Sequence, residues 1–193
     1  AFRKTRLVFR RAYSVYYILN FLEGARRQIF LTFAPFALVK VYGLNVTMIA
    51  LLMFVSRLLT LTSSPYLGKL VDRVGPRLML TASYVLMVGN FLGYAYIHNV
   101  PVLLFLYVLN SVLMVVSKNY HVTCIHDTSS VTDLVPSLAM GQTMNHIAAV
   151  ILPLTGGIMW DIFGYEATFF VGVVVAVCLL ITTQKMRVSK QAQ

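Results

Sequence analysis

The chain has 193 residues, of which 59% are apolar and only 11% charged, and its mean hydropathy is +0.77. Soluble domains carry about 25% charged residues, so this composition excludes an ordinary water-soluble domain and puts much of the surface against lipid. The net charge of +10 does not point to nucleic acid, because the basic residues gather at the ends of apolar runs without interleaved aromatic side chains.

A membrane-crossing helix needs roughly 20 mostly apolar residues. Six segments satisfy this: 13–39, 46–66, 78–97, 101–125, 138–159 and 165–184. Residues 1–12 form a basic lead-in and 185–193 a short basic tail, leaving 13–184 as one membrane domain. The lead-in imitates a secretory signal, but the apolar stretch after it is too long and no small-residue cleavage site closes it. Beginning with Ala1, the chain reads as a piece of something longer. The breaks between spans carry turn or charge signals: VYGLN at 41–45, GKLVDRVGPR at 68–77, HNVP at 98–101, HDTSSVTD at 126–133 and DIFGYE at 161–166.

Lysine and arginine placement sets the expected direction. With six spans, both termini and the 68–77 and 126–137 connections share one side. That side holds Arg3, Lys4, Arg6, Arg10, Arg11, Lys69, Arg73, Arg77, Lys185, Arg187 and Lys190, and the other holds Lys40 alone. Both termini are therefore expected in the cytoplasm. The remaining cations, Arg26, Arg27, Arg57 and Lys118, fall inside spans.

The stretch G68-K-L-V-D-R-V-G-P-R77 resembles the cytoplasmic signature G-x-L-x-D-R-x-G-R-K/R of the major facilitator superfamily, which joins the second and third helices of a six-helix half. Gly68, Leu70, Asp72, Arg73, Gly75 and Arg77 match, and Pro76 replaces a basic residue. On physical grounds Gly68 would admit a neighbouring helix, Gly75 and Pro76 would make the turn, and Asp72 could pair with a cation or a helix N-terminus. LPLTGGIMWDIFGYEATFF, 152–170, is similar to the family's fifth-helix ending and to the end of the eleventh helix in full-length members. Pro153, Gly156 and Gly157 match, with Leu152 in place of the first glycine. GARRQIF and TMNHIAAVILP also look like segments of a group of bacterial facilitator proteins, which implies an inner-membrane location.

The resemblance implies an all-α half of a facilitator fold with helices 1–3 and 4–6 as inverted repeats, the basic lead-in marking the C-terminal half. It also implies alternating access against a second six-helix half, from the same full-length chain or from a homodimer. In that family the first and fourth helices of a half line the cavity. Here the first carries Asn20, Glu23, Arg26 and Arg27, which return to one face at spacings of three, four and seven. The fourth carries Asn110, Ser117, Lys118 and His121, and the fifth adds Gln142, Asn145 and His146.

A charge at mid-bilayer costs about 2.5–3.5 kcal/mol on insertion scales. Glu23 can offset one of Arg26 and Arg27, with Arg27 at i, i+4 in position to pair. Arg57, Lys118 and the second arginine then lack an acidic partner within the spans. This excess of positive charge suits a small organic or inorganic anion, since guanidinium forks match carboxylate and phosphate. The expected solute contacts are Asn20, Glu23, Arg26, Arg27, Arg57, Asn110, Lys118, His121, Asn145 and His146. Glu23, His121 and His146 are candidates for proton coupling.

Competing readings remain for each group. Carboxylates from a partner half could neutralise Arg26, Arg27 or Arg57, Lys118 could snorkel to the interface, and His121 and His146 could be packing residues. A non-transporting scaffold or sensor derived from a transporter half is the alternative function. No HExxH, GxSxG or GxxxxGK[ST] motif and no paired carboxylates occur, so no catalytic residue, metal or cofactor is expected. Cys124 and Cys178 fall in apolar runs without metal spacing and read as buried thiols.

Overall fold

A computed structural model describes the backbone of residues 14–128 and 131–185; the side chains of 76, 118–134 and 185 lie outside the description. Six helices follow one another: α1 (Ser14–Lys40), α2 (Val46–Val74), α3 (Pro76–Tyr96), α4 (Val100–Thr128), α5 (Val131–Phe163) and α6 (Tyr165–Lys185). All of the secondary structure among the described residues is helical.

The helices run further than the hydropathy boundaries. The 68–77 stretch is expected as a loop, yet α2 continues through it to Val74 and the chain leaves helical geometry only at Gly75. Nothing before Gly75 breaks a helix strongly enough, whereas Gly75 adopts φ 95°, ψ 138° and its N–H still bonds the Val71 carbonyl. Pro76 then opens α3, where its missing N–H costs nothing. The 126–137 connection shrinks likewise, since α4 reaches Thr128 and α5 begins at Val131. At the opposite end Gly164, with φ 87°, is the whole break between α5 and α6. Asn45 caps α2 by accepting from the Thr47 N–H at 3.1 Å.

Among the described residues five helices are long and apolar enough to cross a membrane. The exception is α1, which at 27 residues spans about 40 Å but carries Glu23, Arg26 and Arg27 near its middle. Pro35, Pro65, Pro136 and Pro153 all lie inside helices. In the part of α2 that precedes Pro65, the Ser56, Thr60 and Ser63 hydroxyls donate to carbonyls four residues back, at 2.7, 2.7 and 2.6 Å.

Helix α1 packs chiefly on α5 and α6, α4 on α2 and α3, and α3 on α6. The core where α1, α3, α4 and α6 meet is aromatic. Phe30 lies 6.0 Å from Phe91 and 5.4 Å from both Tyr94 and Tyr107, and Tyr94 lies 5.1 Å from Phe169. By contrast α2 buries only Ile49 and Ser56, and it exposes Leu51, Phe54, Leu58 and Leu61. Cys178, expected as buried, is an exposed thiol on α6. A stretch apolar on all sides, like α6, gives no sequence cue to which side faces lipid.

Candidate functional site

The polar residues of α1 divide into two adjacent stripes, because consecutive helical residues point about 100° apart. Leu19, Glu23, Arg26 and Phe30 face α3 and α4. Asn20, Gly24 and Arg27 face α5.

On the first stripe Arg26 is fully buried and forms an ion pair with Glu23, which is itself 9% exposed. The contact is bidentate, one arm to Glu23 Oε1 and the other from Arg26 Nε to Glu23 Oε2 at 3.3 Å. Ser117 Oγ on α4 donates to Glu23 Oε1 at 2.8 Å, and Arg26 Nη2 reaches Ser117 Oγ at 3.4 Å. Arg26 Nη1 points at Met87 Sδ on α3, 2.7 Å away. The pair thus ties α1 to two other helices. Glu23 meets Arg26 at i, i+3 rather than Arg27 at i, i+4, since Arg27 turns toward the other stripe.

There Arg27 Nη2 donates to Asn145 Oδ1 on α5 at 2.7 Å. Asn145 Nδ2 points back at the Asn20 carbonyl, 3.5 Å away, and the Asn20 amide donates to the Tyr16 carbonyl at 2.8 Å. Among the described residues no carboxylate lies within ion-pairing distance of Arg27. Its Nε is buried with no hydrogen-bond partner among them. The side chain as a whole is only partly buried; one nitrogen of the guanidinium is fixed by a neutral amide, and the buried Nε has no acceptor among the described residues.

The other expected contacts are dispersed. Asn110 is fully buried between α3 and α4, donating to Asn90 Oδ1 at 3.4 Å, while Asn90 donates to the Leu106 carbonyl at 2.7 Å. Asn110 Oδ1 has no partner among the described residues. Arg57 is exposed on α2. His146 is exposed and its Nε2 lies 3.2 Å from Gln142 Nε2. The side chains of Lys118 and His121 lie outside the described residues. Met87 and Asn90 carry polar contacts that the sequence reading passed over. Asn90 had a signal, as an isolated amide in the apolar run VLMVGNFLGY; Met87 had none.

In the 68–77 motif, Gly68 meets nothing within 4 Å of where a Cβ would stand, so among the described residues no helix makes the close approach expected there. Asp72 and Arg73 are exposed on the last turn of α2. Arg77 Nη2 donates to the Gln184 carbonyl at 3.0 Å and to its Oε1 at 3.1 Å, holding the start of α3 to the end of α6. Gly156 does serve close packing, since a Cβ there would meet the Phe33 ring at 2.6 Å.

Six packed helices, five of them membrane-spanning in length and polarity, with an ion pair and a second arginine at mid-helix, define an integral multi-pass membrane protein. The sequence profile of the Major Facilitator Superfamily matches residues 16–190, and the chain belongs to that family. It is accordingly a secondary transporter of some solute. No curated protein matches it in sequence.

Proposed function

We propose that this chain is one half, the C-terminal one, of a transporter that moves a small anion by alternating access against a second six-helix half. The observation that carries the anion is Arg27. It is a mid-helix guanidinium whose buried Nε has no acceptor, and whose partner is a neutral amide, among the described residues. A carboxylate or phosphate oxygen would supply both the missing acceptor and the missing charge.

The packing supports the half-transporter reading. Exchanging α1–α3 with α4–α6 maps the α1–α5 pair onto α4–α2 and α1–α6 onto α4–α3, and returns α3–α6 to itself. That is the pattern expected of a 3+3 inverted repeat. The apolar exposed face of α2 leaves room for a second half, which the same full-length chain or a homodimer would supply. The excess of lysine and arginine at both termini and in 68–77 favours cytoplasmic ends, and the likeness of GARRQIF and TMNHIAAVILP to bacterial facilitator segments supports a bacterial inner membrane.

The test is a thermal-shift screen of the complete protein against carboxylates, phosphates and neutral sugars. An anion at about 100 times its Kd adds about 2.7 kcal/mol, which raises Tm by about 5–11 °C. That shift should vanish in Arg27→Ala, whose own unfolding remains cooperative. Stabilisation by a neutral solute that persists in Arg27→Ala would overturn the reading.

A further inference from the structure

Gly24 lies between Asn20 and Arg27 on the stripe that faces α5. A Cβ at Gly24 would stand 2.8 Å from the Asn145 carbonyl oxygen, 2.9 Å from its Cα and 3.0 Å from its Cγ. Two of these three atoms are backbone, so no side-chain rotation could relieve the contact. The other close glycines of the α1–α5 crossing differ in kind: Gly141 meets the Tyr16 ring and Gly156 the Phe33 ring, and side chains can shift. A glycine inside a helix costs roughly 0.5–1 kcal/mol relative to alanine, and here the return is direct backbone contact between two helices.

That contact is where Asn145 straddles the stripe. Its Oδ1 accepts from Arg27 one turn beyond Gly24, and its Nδ2 points at the Asn20 carbonyl one turn before. We propose that Gly24 is the positioning residue of the Arg27 site: it lets α5 approach closely enough for Asn145 to hold Nη2, which fixes the orientation in which the Arg27 guanidinium meets the solute. The bond is 2.7 Å long. Moving α5 outward by about 0.6 Å, which would bring the 2.8 Å contact to ordinary van der Waals distance, would stretch the bond to about 3.3 Å, just beyond the usual range of about 2.7–3.2 Å. Arg27 would then be free to rotate, and the orientation of the bound anion would be lost with it.

The inference rests on Arg27 as the solute's cation, but its test needs no solute. Tm is measured for the complete protein carrying Arg27→Gln, Asn145→Ala and both, first with Gly24 intact and then in the Gly24→Ala background. With Gly24 intact the two losses should be non-additive by about 3–12 °C, because either change breaks the same charged hydrogen bond. In Gly24→Ala they should add. Coupling that survives Gly24→Ala, or that is absent with Gly24 intact, would overturn the proposal.

Should Gly24→Ala not fold, the same cycle in Gly141→Ala and Gly156→Ala decides. Coupling retained in both keeps Gly24 as the specific determinant, and coupling lost in either makes the bond sensitive to any loosening of the crossing and removes the special role. Failure of this cycle leaves anion binding by Arg27 standing. A coupling that behaves as expected, together with an Arg27 that no anion senses, would instead remove the solute and leave the geometry.

Discussion

Glu23→Gln isolates the charge of the buried ion pair, because the amide keeps the size of the side chain and one acceptor oxygen. Arg26 stays fully buried in the variant, still beside Ser117 and Met87 but without the Glu23 carboxylate that it contacts through two nitrogens. Removing one member of a buried pair costs about 3–5 kcal/mol, since the remaining charge is left uncompensated. For a chain of this length 1 kcal/mol corresponds to about 2–4 °C, so Tm should fall by about 6–20 °C. The assay is thermal unfolding in detergent, followed by the loss of a monodisperse size-exclusion peak. Adding Arg26→Met to Glu23→Gln removes the stranded charge and should recover at least half of the loss, in keeping with the near-neutral effect of replacing whole buried pairs. A Tm within about 2 °C of the parent in Glu23→Gln, or a double variant no better than the single, would refute the view that this pair ties α1 to α3 and α4.

Gly75→Ala puts a side chain at φ 95° with nothing within 4 Å, so backbone strain of about 1–2 kcal/mol acts alone and Tm should drop by about 2–8 °C. Gly89→Ala, a helical glycine facing open space, should instead stabilise by about 0.4–1 kcal/mol; equal shifts in the two would contradict the strain argument. Arg57 is exposed, and Arg57→Gln should leave Tm within about 2 °C, unlike either change to the Glu23–Arg26 pair. Asp72→Asn is expected to slow turnover in reconstituted vesicles more than it weakens solute binding, and normal turnover with unchanged binding would remove Asp72 from the conformational cycle.

Composition and hydropathy alone determined that the protein is helical and membrane-embedded, because burial in lipid demands long apolar runs and leaves a signal that needs no partner to be read. The 68–77 and 152–170 motifs carried the family likeness for the same reason, since glycine and proline act through local backbone geometry. What the sequence left open was the partner of each buried charge. Arg26 and Arg27 are neighbours in sequence, yet one helical step of about 100° sends the first to Glu23, Ser117 and Met87 and the second to Asn145, 118 residues away. The i, i+4 spacing pointed to Arg27 as the partner of Glu23, and only the packing of α3, α4 and α5 around α1 gave that place to Arg26. Gly24 shows the same limit. It reads as a weak point in a helix until α5 is seen against it, when it becomes the place where two backbones touch.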